Sequence, residues 1–161
     1  MEFNENEYSG PIELLNRELV AFFASRTSTD EARTLALKWA AEVCQTEKIV
    51  ISGFNSPLER EVLDFLLAHN RSVIVALGRG LYRKIPTYLQ TAYDRGRVLF
   101  LSFRNNQRQS QSTAQIRNWL IASLAPEIIF APFNNSSMLS AMHYTYKTYN
   151  TQNKSVKILG E

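Results

Sequence analysis

Six short apolar runs recur along the chain, and a stretch with helical periodicity separates each from the next. This alternation constrains the fold more than any other feature. The runs are "ELVAFFAS" (18–25), "KIVISG" (48–53), "SVIVALG" (72–78), "RVLFLSF" (97–103), "EIIFAPF" (127–133) and "SVKIL" (155–159). Most are apolar at successive positions rather than alternate ones, the pattern of strands covered on both faces. Six such strands separated by five helices predict an α/β fold: a Rossmann-like, doubly wound, mainly parallel sheet of about six strands with helices on both faces. A barrel would need eight units and more chain.

The helical stretches carry their own boundary signals. Residues 28–44 open with Ser28 as cap and Glu31 three positions on. Residues 56–70 have Ser56 at the cap, Pro57 at the first helical position and acids in the first turn. A helix from about Pro86 is stopped by Gly96. In "STAQIRNWLIASL" (112–124), Ser112 and Gln115 have capping-box spacing, and Ile116, Leu120, Ser123 and Leu124, with Trp119 beside them, form the expected buried face. Residues 136–150 complete the set. Residues 1–17 read as an N-terminal arm or a short helix over 11–17, and 18–161 as one domain, long enough to bury a substantial core.

The net charge of +3 conceals a division. Residues 1–64 hold 12 acids and 6 bases, a net of −6, whereas 65–161 hold 3 acids and 12 bases, a net of +9. A basic half points to an anionic partner, nucleic acid or nucleotide first. No apolar run approaches the ~18 residues of a membrane-spanning helix. The polar start "MEFNENEYSGP" has no leader character, so cytoplasmic residence is the expectation. The single Cys44 forms no internal disulfide and reads as a buried thiol.

In open α/β sheets ligands gather beyond the carboxyl ends of the strands. The loops there supply charge from Arg26, Arg79, Arg83 and Arg104, and hydrogen-bonding groups from Ser25, Ser52, Asn134, Ser136 and Ser137. Helix N-termini behind them favour anions. Arg117 and Asn118 stand just after the first turn of helix 112–124, beside the Asn/Gln/Arg/Ser-rich loop 104–112. Tyr82, between Arg79 and Arg83, is the best aromatic for stacking on a base. Strong nucleotide motifs are absent: no P-loop, no dinucleotide fingerprint, and only the weak "GRG" at 78–80. His69 reads as a helix cap and His143 as a packed or solvated side chain. Neither has metal-ligand spacing to Cys, Asp or Glu. Glu59 and Glu61 read as first-turn helix acids, with Glu59 close enough to a strand end to meet a sugar or base. No catalytic residue, cofactor or metal is expected, and the sequence speaks of binding rather than turnover.

Four segments in order resemble the Rossmann-like domain of the DNA-processing protein A (DprA, Smf) family, within the lysine-decarboxylase-like (SLOG) nucleotide-binding superfamily. The resemblance covers roughly 18–159. "FFASRTST" matches the family's opening Gly-Ser-Arg at Ser25 and Arg26, and "IVISGFNSPLE" retains Ser52 and Gly53. "SVIVALGRGLYRKIP" matches at Gly78, Gly80, Leu81 and Pro86. "RNWLIASLAPEIIFAPFNNSSMLSA" matches at Arg117, Asn118, Ile121, Ala122, Leu124, Ser137 and Ala141. Pro57, Glu59, Trp119, Pro132 and Ser136 depart from the family pattern, as expected of a diverged, stand-alone domain. The resemblance implies a non-enzymatic protein for single-stranded DNA, in DNA processing, uptake or recombination. Its binding rim would comprise Ser25, Arg26, Ser52, Gly53, Gly78, Arg79, Gly80, Arg83, Arg104, Arg117, Asn118, Ser136 and Ser137. It also implies a homodimer and a recombinase-type protein partner. The alternative is a nucleotide-binding sensor or nucleotide-processing domain of the same superfamily, with a nucleotide phosphate as ligand.

Overall fold

The computed structural model describes residues 2–103 and 110–161. The six apolar runs form parallel strands β2 (Leu19–Phe23), β3 (Ile49–Ser52), β4 (Val73–Leu77), β5 (Val98–Ser102), β6 (Glu127–Phe130) and β7 (Ser155–Ile158). A strand absent from the sequence reading, β1 (Tyr8–Ser9), pairs antiparallel with β5, giving the order β1-β5-β4-β3-β2-β6-β7. The N-terminal arm is therefore an edge strand followed by a 3-10 turn, Ile12–Asn16. Gly10 permits this: a Cβ there would press on the Val98 carbonyl, and its φ of +113° suits glycine.

Strand residues divide by parity between two cores. Val20, Phe22, Val50, Val73, Val75 and Phe100 pack against helices α1 (Asp30–Val43), α2 (Pro57–Ala68) and α3 (Thr87–Asp94). Ala21, Phe23, Ile51, Ile74, Leu99 and Phe130 pack against α4 (Gln111–Leu124) and α5 (Met138–Thr148). With both faces covered, every residue of β2 through β5 is buried, which is why those strands read as continuous apolar runs.

Helix starts follow the sequence signals, with two shifts. Ser56 accepts from the Glu59 amide and Pro57 opens α2, as expected. In α1 the cap is Thr29 rather than Ser28, its hydroxyl accepting from the Ala32 amide at 3.0 Å. In α4 it is Ser110 rather than Ser112, paired with Thr113. The buried face of α4 also differs from the expectation: Thr113, Arg117, Asn118, Ile121 and Ala122 are buried, whereas Ile116 is 38% and Trp119 36% exposed. The helix faces a polar cleft with its first half and the sheet with its second, so no single apolar stripe runs its length. Cys44 caps the C-terminus of α1 half-buried, and burial pushes its thiol pKa up.

Candidate functional site

The chain runs outward from β2 through β3 and β4 to β5, then crosses back under α4 to place β6 on the other side of β2. At this β2/β6 boundary α1 leaves toward one face and α5 toward the other, so the loops diverge. Such a switch point opens a crevice at the carboxyl ends of the strands. Here it is a cleft of about 890 Å³, lined by the turn after β2, the loop entering α2, the first turns of α4 and the loop entering α5.

Glu59 organises the floor. It is 4% exposed and lines the cleft. Its Oε2 accepts from the Ala24 amide at 3.1 Å, and its Oε1 accepts from the amides of Asn55 at 3.0 Å and Ser56 at 3.1 Å. One carboxylate thus ties the end of β2 to the start of α2. Beside it the backbone turns sharply: Phe54 is buried with φ +48°, a left-handed conformation costly for a bulky side chain. The Ser52 hydroxyl accepts from the Phe54 amide at 3.1 Å and secures the turn.

Arg117 and Asn118 face this floor. Arg117 is 5% exposed, and its Nε and Nη2 donate to Asn118 Oδ1 at 3.2 and 3.1 Å. Its guanidinium lies across Gly53, where an added Cβ would stand 2.5 Å from Cζ. Burial lowers the Arg117 pKa, and the Glu59 charge opposes that shift. A side chain at Gly53 would therefore displace this guanidinium, whereas its own backbone angles do not call for glycine.

Of the residues expected at the rim, the structure gathers Ser25, Arg26, Arg117, Asn118, Ser136 and Ser137 around the cleft, with Gly53 behind Arg117. Arg26 is exposed at the mouth. Ser25 Oγ donates to the Thr27 carbonyl, and Ser137 caps α5 by accepting from the Leu139 amide. Asn134 Oδ1 accepts from both the amide and hydroxyl of Ser136. Ser52 is wholly buried beneath the turn. Gly78, Arg79, Gly80 and Arg83 lie apart, on the loop after β4, two strands or about 10 Å from β2. There Arg79 Nε donates to the Gly80 carbonyl, its guanidinium lies 4.5 Å over the Tyr82 ring, and its carbonyl accepts from Ser102 Oγ. Tyr82 also meets Phe100 edge-on, so much of its ring is already in contact. Arg104 lies outside the described residues.

Sequence reasoning underrated Glu59. Its capping-box spacing from Ser56 was visible, but not its reach to β2. It also passed over Asn55, Gln111 and Gln115, which line the cleft. His69 caps α2 as expected, its Nδ1 2.8 Å from the Phe65 carbonyl. His143 packs edge-on against Phe130 and Phe133 outside this cleft. Among the described residues no three His, Cys, Asp or Glu side chains cluster to hold a metal, and no helix is long and apolar enough to cross a membrane. Among the described residues the cleft offers hydroxyls, carboxamides and the exposed Arg26, a set suited to holding a polar ligand.

Comparison with known proteins places this arrangement. The model of the DNA recombination-mediator protein A family matches residues 7–156. Among solved structures, DNA processing protein A from Streptococcus pneumoniae is similar with a TM-score of 0.72 at 21% identity, over 94% of this chain and 53% of that one. The Helicobacter pylori protein, described by its single-stranded DNA binding mode, gives 0.75 at 18% identity, over 96% and 71%. The Moco carrier protein of Chlamydomonas gives 0.59 at 12% identity, over 89% and 76%. These likenesses concern the fold, and the chain spans about half the length of the pneumococcal protein. No curated protein sequence matches the chain. The family match over almost its whole length identifies it: the chain belongs to the DNA recombination-mediator protein A family.

Proposed function

We propose that this chain is a DNA-processing protein that binds single-stranded DNA without catalysing its turnover. The DNA follows the carboxyl edge of the sheet, from the switch-point cleft toward Arg79 and Arg83. The observation that carries the reading is the open polar cleft at the β2/β6 boundary, with Arg26 exposed at its mouth. Family membership and the basic balance of residues 65–161 support it. Arg79 stands between Gly78 and Gly80 on the loop after β4, and Arg104 follows β5 in the sequence. A homodimer and a recombinase-type partner belong to this reading through the family.

Fluorescence anisotropy with a labelled single strand of roughly 30–60 nucleotides tests it, because phosphate neutralisation makes binding fall steeply with salt. Arg26→Ala should weaken binding to all sequences alike and reduce the salt slope by about 1. Absence of binding at low salt refutes the function. A nucleotide-sensor reading is favoured by one observation: the cleft volume of about 890 Å³ lies within the ~300–1,000 Å³ range of small-molecule pockets. Thermal shift against a panel of nucleotides separates the two, since only the sensor gains stability from a free nucleotide.

A further inference from the structure

We propose that Trp119, set beside Tyr146 on the outer seam between α4 and α5, is a stacking platform for an unpaired base, outside the switch-point cleft. It receives a base of a strand that continues past the cleft, and it rests on the single-stranded DNA reading for the identity of that ligand.

The fold treats the two tryptophans of this chain differently. Trp39 stacks on Phe22 in the first core, with ring centroids 5.0 Å apart and planes 14° from parallel. Trp119 is left 36% exposed on the outer side of α4. A single exposed apolar side chain is ordinary on a protein surface, but Trp119 does not stand alone. Ile116, one turn before it, is 38% exposed, and Tyr146 of α5 meets the indole across the seam, centroids 6.0 Å apart and planes tilted by 31°. Tyr146 is itself half-buried against the second core, so the indole has a fixed neighbour on one side and water on another. Tyr82, the aromatic expected from the sequence to stack on a base, has its ring already in contact with Phe100 and the Arg79 guanidinium.

The seam is continuous with the cleft. Gln115 lines the cleft and lies four residues before Trp119 in α4, so the two share a helix face about 6 Å apart along the axis. On α5, Met138 lines the cleft and Tyr146 follows about two turns further down. Neither helix contains an acidic residue, so neither repels a strand laid along the seam. At its foot stands Lys154, whose Nζ donates to the carbonyls of Ser123 at 3.3 Å and Ala125 at 2.7 Å. Stacking on an indole needs no particular base, because every base has a π-face.

The test follows the indole and the affinity together. Trp39→Phe keeps a ring on Phe22 and leaves Trp119 as the sole tryptophan, so its emission reports the seam. Titration with oligothymidylate should quench that emission saturably, and an abasic strand should not. No quenching at saturating strand, or equal quenching by the abasic strand, overturns the proposal without any change at Trp119. By anisotropy, Trp119→Ala should bind about 5–150-fold more weakly, the value of one base stacked on an aromatic ring. Its salt dependence should match the wild type, because no phosphate contact is removed. Trp119→Phe should retain most of the affinity. Wild-type affinity in a folded Trp119→Ala protein overturns the platform alone and leaves the seam to a protein partner, whereas a wild type that binds no single strand at low salt ends the DNA function and the platform with it.

Discussion

Gly53→Ala is a one-methyl change whose cost can be worked from the geometry. The new Cβ would stand 2.5 Å from Arg117 Cζ, 2.7 Å from Nε and 2.8 Å from Nη1, so the guanidinium must move. Backbone strain is not at issue, because Gly53 does not occupy a left-handed conformation. The displaced guanidinium loses its two hydrogen bonds to Asn118, each worth ~1 kcal/mol net. Against that, alanine restricts the unfolded chain and returns ~0.4–1 kcal/mol. The net expectation is a destabilisation of about 1–1.5 kcal/mol. For a domain of this size that lowers Tm by about 2–6 °C, measurable by calorimetry. The mechanism is checked by a double-mutant cycle with Arg117→Ala. Once the guanidinium is removed, Gly53→Ala should be neutral or stabilising, giving a coupling of at least ~1 kcal/mol. Additive effects, or a Tm unchanged in the single variant, would refute the packing argument.

Three further expectations follow from neighbouring features. Ile116→Ser should change stability by no more than ~0.5 kcal/mol, because Ile116 faces solvent, whereas Ile121→Ala on the same helix should cost ~2–5 kcal/mol by urea unfolding. Equal costs would reverse the assignment of the buried face of α4. Lys48 Nζ donates to Glu127 Oε1 at 2.9 Å, and this hydrogen bond is the main cause raising the Lys48 pKa. A raised folded value means the pair stabilises fully below the ordinary lysine pKa of ~10.4 and loses that contribution as pH rises through the folded value. Both side chains are partly exposed, so the term is ~0.2–1 kcal/mol. The Tm gap between wild type and Glu127→Gln should therefore close in alkali, and a gap constant from about pH 8 to 12 contradicts the linkage.

Residues whose burial follows from strand or helix period were legible in the sequence. The six parallel strands announced themselves because a sheet covered on both faces needs apolar side chains at every position. The start of α2 was legible because Ser56, Pro57 and Glu59 each answer a separate demand of a helix N-terminus. Strand β1 was not, since two residues carry no period and their pairing with β5 spans about 90 positions. The caps of α1 and α4 slipped by one and two residues where several Ser or Thr stand in a row. In α4, Ile116 and Trp119 suggested an apolar stripe, yet Arg117 and Asn118 take the inner face because a polar cleft lies there. No local pattern reveals that. Nor does any pattern place Arg117 against Gly53, or carry Glu59 across to Ala24; both are contacts between segments remote in the chain. Residues 25, 26, 117, 118, 136 and 137 come together at one cleft, while the 78–83 group stands two strands away.

The N-terminal strand also limits how such molecules can join. A parallel sheet has two margins, and each exposes a row of backbone groups that another chain can adopt. Here one margin is roofed, at its middle, by the chain's own Tyr8 and Ser9, while at the other β7 has no described neighbour beyond it and carries the exposed Lys157. Growth by strand addition into an endless fibre requires two open margins of matching kind. Because the β1 edge offers only two residues of ladder, pairing through β7 would bring two molecules together about a twofold axis and leave no comparable margin for further growth.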